Sequence, residues 1–375
     1  MSVLLITKTL TKGGAASGAR NLLGALRAAG AEVVALDAYA EQRRHPLRLL
    51  RTMERIYERS LHDAGTHCLR LGPPVFDLER LYKKYRPDAI QLCDVSGNTV
   101  CFSDIAAVPC PVVHRMSDFW PYHGARHYAE SPPERLSFAD RLLRKRIFDG
   151  SVMPDCRVAP SHWLAGCLGG KGIAVIRNAV GIPENVRPKG LRAGLLRFGF
   201  ISGHVMDQRK GFMTLPPLLD KVSTILKQDI ELHVFGTIAE NKLPRFDTVR
   251  IVLHPPFKSS ELAEVYGAFD VLLCPSLRDN SPNVVTEALA HGVPVIAQCG
   301  TGMDSYIRET TGALIDFHGP VSAGSLQFKD VLRKISCDFP RFSRDAHEYA
   351  RSELAPEVIG REYLALYNRL SSEVA

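Results

Sequence analysis

A chain of 375 residues with 45% hydrophobic and 23% charged residues is too long for one ordinary core and too balanced for disorder or a repeat array, so two domains of roughly 180 residues each are expected. A formal net charge of +7 is modest at this size; it permits attraction to an anionic lipid or substrate and demands no nucleic-acid partner. No run reaches the ~18 apolar residues of a membrane span, and the nine cysteines form no C-x-x-C pair, which argues against a zinc site and fits reduced thiols in a cytoplasmic protein.

The opening run MSVLLITKTL reads as a first core strand at 3–6 rather than a signal peptide. A loop over 7–16 carrying Gly13-Gly14 leads into a helix ending near Gly30, and a second strand follows at 32–38. A strand, a glycine turn and a helix start put free amides where a phosphate would sit. Gly13 and Gly18 have the frame of a P-loop, but Ala19-Arg20 follows in place of Lys-Ser/Thr, and the glycines lack the dinucleotide-binding spacing. Residues 43–62 form a basic helix of amphipathic period, either a membrane-surface or acidic-acceptor patch or a solvated face. Further strands are expected at 67–71, 88–92 and 111–115. The last opens the loop MSDFWPYHGARHYAE, in which Trp120, Tyr122 and Tyr128 offer flat faces for a sugar and Asp118, His123, Arg126 and His127 offer polar groups; the alternative is an aromatic loop packed on its own domain. A basic helix spans 136–148.

In the second half, residues 183–190 (PENVRPKG) read as a linker, and strands are expected at 195–201, 231–235 and 249–254. A helix over 259–269 is capped at Ser259 or Ser260. The stretch FDVLLCPSLRDNSPNVVTEALAHGVPVIA organises the rest. An apolar run at 271–274 suits a strand buried on both faces, Ser281 serves as N-cap and Pro282 as first residue of a helix over 283–290, Gly292 stops it, and a strand follows at 293–297. Final helices fall near 342–352 and 356–370. Two carboxylates frame this βαβ unit, Asp279 in the loop and Glu287 eight residues on. A helix start favours phosphate oxygens and carboxylates accept hydrogen bonds from vicinal hydroxyls, so the unit reads as a nucleotide-sugar site.

The run PSLRDNSPNVVTEALAHGVPV resembles the acid-x7-acid motif of retaining GT-B glycosyltransferases of family 4, PS-x-x-E-G-F-G-x-x-x-x-E-A-x-A-x-G-x-P-V. The resemblance implies that Glu287 holds the ribose hydroxyls and that Asp279, one methylene shorter than the usual glutamate, holds hydroxyls of the transferred sugar. Asn280-Ser281-Pro282 stands for Gly-Phe-Gly ahead of Asn283, and Pro282 removes one backbone donor to the phosphates. Lys210-Gly211 matches the family's K-G, whose lysine neutralises the leaving diphosphate; Val205 occupies the usual arginine position, and Arg209 is the proposed substitute. Gly13 and Gly14 would approach the diphosphate from the other domain. Ser117, Asp118, Trp120 and Gly124 fit the S-D-x-W-x-x-T-G form of an acceptor-side loop, with His123 in the threonine position and Asp118 counted among the catalytic residues.

The implied architecture is α/β, a GT-B fold of two Rossmann-like domains facing each other across a cleft: 1–182 on the acceptor side, the linker 183–190, 191–355 on the donor side, and a helix over 356–375 crossing back. The implied activity is transfer of a sugar from a nucleoside diphosphate donor to a saccharide or lipid-linked oligosaccharide, with retention, no metal and no further cofactor. The setting it points to is bacterial surface polysaccharide or glycolipid assembly, in the cytoplasm with peripheral contact at the inner membrane face. The rival readings are a GT-B sugar-nucleotide epimerase, which would turn over donor alone, and a non-catalytic nucleotide-sugar binder.

Overall fold

Mostly apolar segments at 2–7, 89–92, 112–115, 271–274 and 295–298, buried along almost their whole length, form inner strands of two sheets in which every pairing is parallel, as expected where helices cover both faces. The computed structural model describes residues 1–11, 13–42, 52, 73–97, 99–122, 152–184, 186, 191, 195–238 and 243–374. The chain divides into two units, Met1–Ala179 with Pro356–Ala375, and Val180–Ala355.

In the first unit the strands are β1 (Ser2–Thr7), β2 (Glu32–Asp37), β3 (Ala89–Leu92), β4 (Val112–Arg115), β5 (Cys156–Ala159) and β6 (Ile173–Val175), in the order β2-β1-β3-β4-β5-β6. Helices α1 (Gly14–Ala28), α2 (Ala38–Gln42), α3 (Leu78–Tyr85) and α4 (His162–Cys167) accompany them. The second unit has β7 (Leu195–His204), β8 (Asp229–Thr237), β9 (Val249–His254), β10 (Val271–Cys274), β11 (Val295–Gln298) and β12 (Gly312–Ile315), in the order β12-β11-β10-β7-β8-β9. Its helices are α5 (Leu215–Leu226), α6 (Leu262–Gly267), α7 (Asn283–Ala290), α8 (Val321–Cys337) and α9 (Phe339–Glu353). The chain then returns to the first unit as α10 (Pro356–Val374), whose Ile359, Tyr363, Leu366 and Tyr367 join Leu22, Ala25 and Leu26 of α1 in one buried cluster.

Strand order reverses once in each sheet, between β1 and β3 and between β10 and β7. Loops leaving the carboxyl ends of such neighbouring strands diverge to opposite faces and open a crevice, where doubly wound sheets bind ligands. Gly13-Gly14 follows β1; Lys210 follows β7 and Asp279 follows β10.

Several local readings differ from the structure. Asp37 ends β2 one residue before the expected boundary because its carboxylate turns back, accepting from Ala40 N at 3.0 Å and Leu10 N at 2.8 Å. Strand β6 is short, Ile173–Val175, since it pairs with β5 alone and β5 stops at Ala159. The helix expected at 259–269 is a 3₁₀ turn (Ser259–Glu261) followed by α6, and its start is closed by the Glu261 carboxylate accepting from Lys258 N at 2.5 Å rather than by a serine. Helix α8 has no counterpart in the pattern reading. The expected helices at 43–62 (apart from Thr52) and 136–148, the strand at 67–71, linker residues 185 and 187–190, and His123, Gly124, Arg126, His127 and Tyr128 lie outside the described residues.

The seating of α10 includes a polar contact: Tyr367 OH donates to Gln91 Oε1 at 2.7 Å, with both residues fully buried. Tyr367→Phe leaves that oxygen without its donor and is expected to lower stability by about 1–3 kcal/mol, measured by urea unfolding.

Candidate active site

The crevice of the second unit is built from two turns that touch. After β7, a 3₁₀ turn (Gln208–Lys210) is capped by Asp207, whose carboxylate accepts from Arg209 N at 3.0 Å and pairs with Arg209 Nη2 at 2.7 Å. After β10, Leu277 N donates to Arg209 O at 2.8 Å, which ties the second loop to the first. Gly211 makes the approach feasible: its φ is +72°, and a Cβ there would lie 2.1 Å from the carbonyl oxygen of Pro275. From the other side Gly302 N donates to Asp279 O at 2.9 Å, and a Cβ on Gly302 would lie 1.8 Å from Asn280 O. The loop carrying Asp279 is thus clamped between two glycine contacts.

This clamp brings Lys210 Nζ to 2.5 Å from Asp279 Oδ2, with the lysine side chain 30% and the aspartate 10% exposed. A cation and a carboxylate from positions far apart in sequence therefore meet in a partly desolvated place, where the attraction is stronger than at a free surface. Arg209 is spent differently, on Asp207. Val205, in the position where the related motif has arginine, is fully buried in the apolar core.

Helix α7 begins at Asn283 with Pro282 as N-cap in an extended conformation, so Ser281 is not the N-cap and Pro282 is not the first helical residue. Ser281 Oγ instead hydrogen-bonds the hydroxyl of Tyr306 at 2.6 Å, and that fully buried phenol needs the partner. No carboxylate stands in the first turn of α7. Glu287, one turn in, is half-buried, and its Oε2 accepts from Tyr266 OH at 2.8 Å. Burial pushes its carboxyl up to about 7, against the lowering effect of the tyrosine hydrogen bond. Lys210 and Asp279 are thus joined directly, whereas Glu287 is held separately through α6.

Beyond α6, a cavity of ≈ 310 Å³ is lined by Phe235, His254, Phe257, Glu261, Glu264 and Val265 among others. His254 stacks on Phe235 with centroids 4.1 Å apart and Nε2 3.0 Å from His233 Nδ1, and His233 Nε2 lies 3.3 Å from Glu231 Oε2. Burial lowers both histidines below their usual range. Sequence reasoning assigned nothing to these residues; the only signal was aromatic and histidine residues at strand ends.

In the first unit, Gly13 (φ +99°) caps α1, Ser17 N donates to Gly13 O at 3.0 Å, and the space where side chains of Gly13 and Gly14 would stand is open. Asp118 Oδ1 accepts from Trp120 N at 2.9 Å, closing a local turn in the loop after β4. Trp120 and Tyr122 are 4% and 6% exposed and belong to the apolar cluster of this unit, so the faces expected to stack on a sugar are packed inward. Tyr122 OH lies 2.8 Å from Nδ1 of buried His114, whose pKa is lowered to about 3 by burial. Among the described residues no cluster of His, Cys, Asp and Glu is arranged to hold a metal ion, and no helix is long and apolar enough to cross a membrane.

Residues 196–323 match the family described as glycosyl transferases group 1. The chain is similar to D-inositol 3-phosphate glycosyltransferases: that of Xylanimonas cellulosilytica is 34% identical over 96 residues, 25% of this chain and 22% of the relative. That of Mycolicibacterium vanbaalenii is 37% identical over 105 residues, 28% and 22% of the two chains. The matched segment spans about a fifth of the length of these relatives. Among solved structures the fold is similar to sucrose-phosphate synthase from Thermosynechococcus elongatus, with TM-score 0.62, 16% identity and 100% of both chains covered. It is also similar to HepE of Anabaena in complex with UDP, with TM-score 0.59, 13% identity and 98% and 100% of the two chains covered. Two parallel six-stranded sheets with these neighbours define a GT-B fold of two Rossmann-like domains.

Two measurements probe this geometry. Gly211→Ala should cost about 2 kcal/mol or more in chemical denaturation, from its positive φ and the clash with Pro275. For Glu287 the folded pKa stands above the unfolded one, so between about 4.5 and about 7 the folded state binds more protons and stability falls as pH rises. Glu287→Gln should flatten the melting temperature against pH in that window.

Proposed function

Residues 196–323 are a glycosyl transferases group 1 segment, and from that premise we propose that the protein is a retaining glycosyltransferase. It moves a sugar from a nucleoside diphosphate donor to an acceptor hydroxyl. The observation that carries this reading is the Lys210–Asp279 contact of 2.5 Å at the strand-order reversal of the second unit, with the start of α7 just downstream.

Each group has a task that its chemistry supports. The diphosphate gains negative charge as the bond to the anomeric carbon breaks, and Lys210 is the cation placed to offset it, a preorganised stabilisation of developing charge. Asp279 releases part of its hold on Lys210 and accepts hydrogen bonds from hydroxyls of the sugar, which fixes the ring for attack. The amides of Asn283 and Val284 at the start of α7 serve the phosphate oxygens, Pro282 contributing none. Glu287 takes the ribose hydroxyls, and the cavity beside α6 offers an apolar place for the base. The acceptor oxygen attacks from the side the diphosphate leaves, its proton passing to the departing phosphate oxygen, so the configuration is kept. Arg209 is paired with Asp207 and reinforces Lys210 only by exchanging that carboxylate for a phosphate oxygen. This chemistry calls for no divalent cation and no further cofactor.

The first unit is proposed as the acceptor side, with Gly13 and Gly14 as amide donors and Ser117, Asp118, Trp120 and His123 shaping its loop. A saccharide or lipid-linked oligosaccharide acceptor in bacterial surface polysaccharide or glycolipid assembly, met in the cytoplasm at the inner membrane face, fits a basic chain of net charge +7.

The test is a panel of UDP-, GDP- and dTDP-sugars, read first as thermal shift and then as transfer. Lys210→Ala should lower kcat by about 100-fold or more, and Glu287→Ala should raise the KM for donor. EDTA should leave the rate unchanged. Rates of Lys210→Ala and Glu287→Ala within a factor of a few of wild type would overturn the assignment.

A further inference from the structure

Glu287 is an unusual carboxylate. It sits half-buried in α7, with no ion pair to any described residue, and the tyrosine hydroxyl at its Oε2 is the only hydrogen bond its carboxylate makes among them. Its second oxygen, Oε1, is left available. Tyr266 is fully buried on α6, its ring fixed edge-on against Phe269 (5.9 Å, 66°) and stacked on His291 (5.0 Å, 23°). His291 is itself committed, its Nδ1 donating to the main-chain oxygen of Glu287 at 2.7 Å.

We propose that Tyr266 is a positioning residue for donor recognition: by holding Oε2 of Glu287 it presents Oε1 as the acceptor for a ribose hydroxyl. This rests on the reading of Glu287 as the ribose contact. A long acidic side chain free to rotate would lose entropy on meeting a ligand; here that ordering is done in advance by a ring that cannot move without disturbing the core. The tyrosine hydroxyl also lies 3.2 Å from Val284 O. When Glu287 is ionised, the phenol proton points at the carboxylate. When Glu287 is protonated, the phenol can donate to Val284 O and accept from the carboxylic acid, so the same three groups hold either state without an unpaired buried atom.

Binding and protonation are therefore linked. Ribose hydroxyls donate to the carboxylate and favour its ionised form, so a protonated Glu287 must release its proton on binding. The titratable groups around it are Tyr266 on α6, held far above its usual range mainly by burial, His291 at the C-cap of α7, and Cys274 on β10, whose thiol burial pushes up to about 11. None supplies a cation to Glu287, and Tyr266 is the only one that lowers its pKa.

The experiment is calorimetric titration of the full chain, wild type and Tyr266→Phe, with UDP or GDP, whichever binds, between pH 6 and 8 in buffers of different ionisation enthalpy. The same titration is repeated with the 2′,3′-dideoxy nucleotide. Tyr266→Phe is expected to weaken binding of the ribonucleotide about 10-fold and to move the onset of proton release to higher pH, while melting within a few degrees of wild type. The dideoxy nucleotide should bind both proteins alike. Equal ribonucleotide binding and pH dependence in the two proteins would overturn the positioning role, as would an equal loss for the dideoxy nucleotide, which marks a general packing defect. If wild type binds neither UDP nor GDP, the reading of the site itself falls, and this role with it.

Discussion

Two backbone contacts admit nothing larger than a hydrogen atom, Gly211 against Pro275 and Gly302 against Asn280. Parallel strands whose order reverses bring loop origins together, and these glycine contacts, with the Leu277–Arg209 main-chain hydrogen bond, convert that topology into a fixed distance between a lysine and an aspartate. The chemistry proposed for the second unit depends on that fixation, because a cation useful to a leaving group must already be in place when charge develops.

The electrostatic arrangement is one of partner exchange. Four side chains near the crevice each have a partner within the chain: Lys210 in Asp279, Arg209 in Asp207, Glu287 in Tyr266, Ser281 in Tyr306. A half-buried charge left alone would destabilise the fold, and Lys210 and Arg209 are each paired with a carboxylate. A diphosphate sugar offers the same kinds of atoms in a different pattern, anionic oxygens for the lysine and hydroxyls for the aspartate. The ligand then substitutes for internal partners rather than filling an unsolvated void.

Much of this fold is legible in the sequence, for identifiable reasons. The apolar run at β10 and the Gly292 stop give the βαβ unit, and α7 falls on 283–290 because a positive-φ glycine ends it. The motif identifies Lys210, Asp279 and Glu287 as residues of interest, but their bonding is not local: Lys210 and Asp279 are 69 positions apart, and nothing in either segment names the other. The serine before Pro282 looks like a cap to any local rule, and a buried phenol 25 residues on claims it instead. Helix α8, with Gly324, Ser322, Ser325 and Ser336 in its pattern, offers weak propensity and forms by packing on α5 and β12. Tyr266 falls within the helix expected over 259–269, yet its partner Glu287 lies on the next helix, and only the assembled unit brings the two together.

The polypeptide makes its first unit in two instalments. The α1 surface that carries Leu22, Ala25 and Leu26 is covered by α10, which is translated only after the whole of Val180–Ala355. During synthesis the second unit holds all its own strands and helices and is free to mature, while the earlier-made sheet waits with an oily flank bare. That order makes completion of the first unit a late, long-range closure rather than a local event.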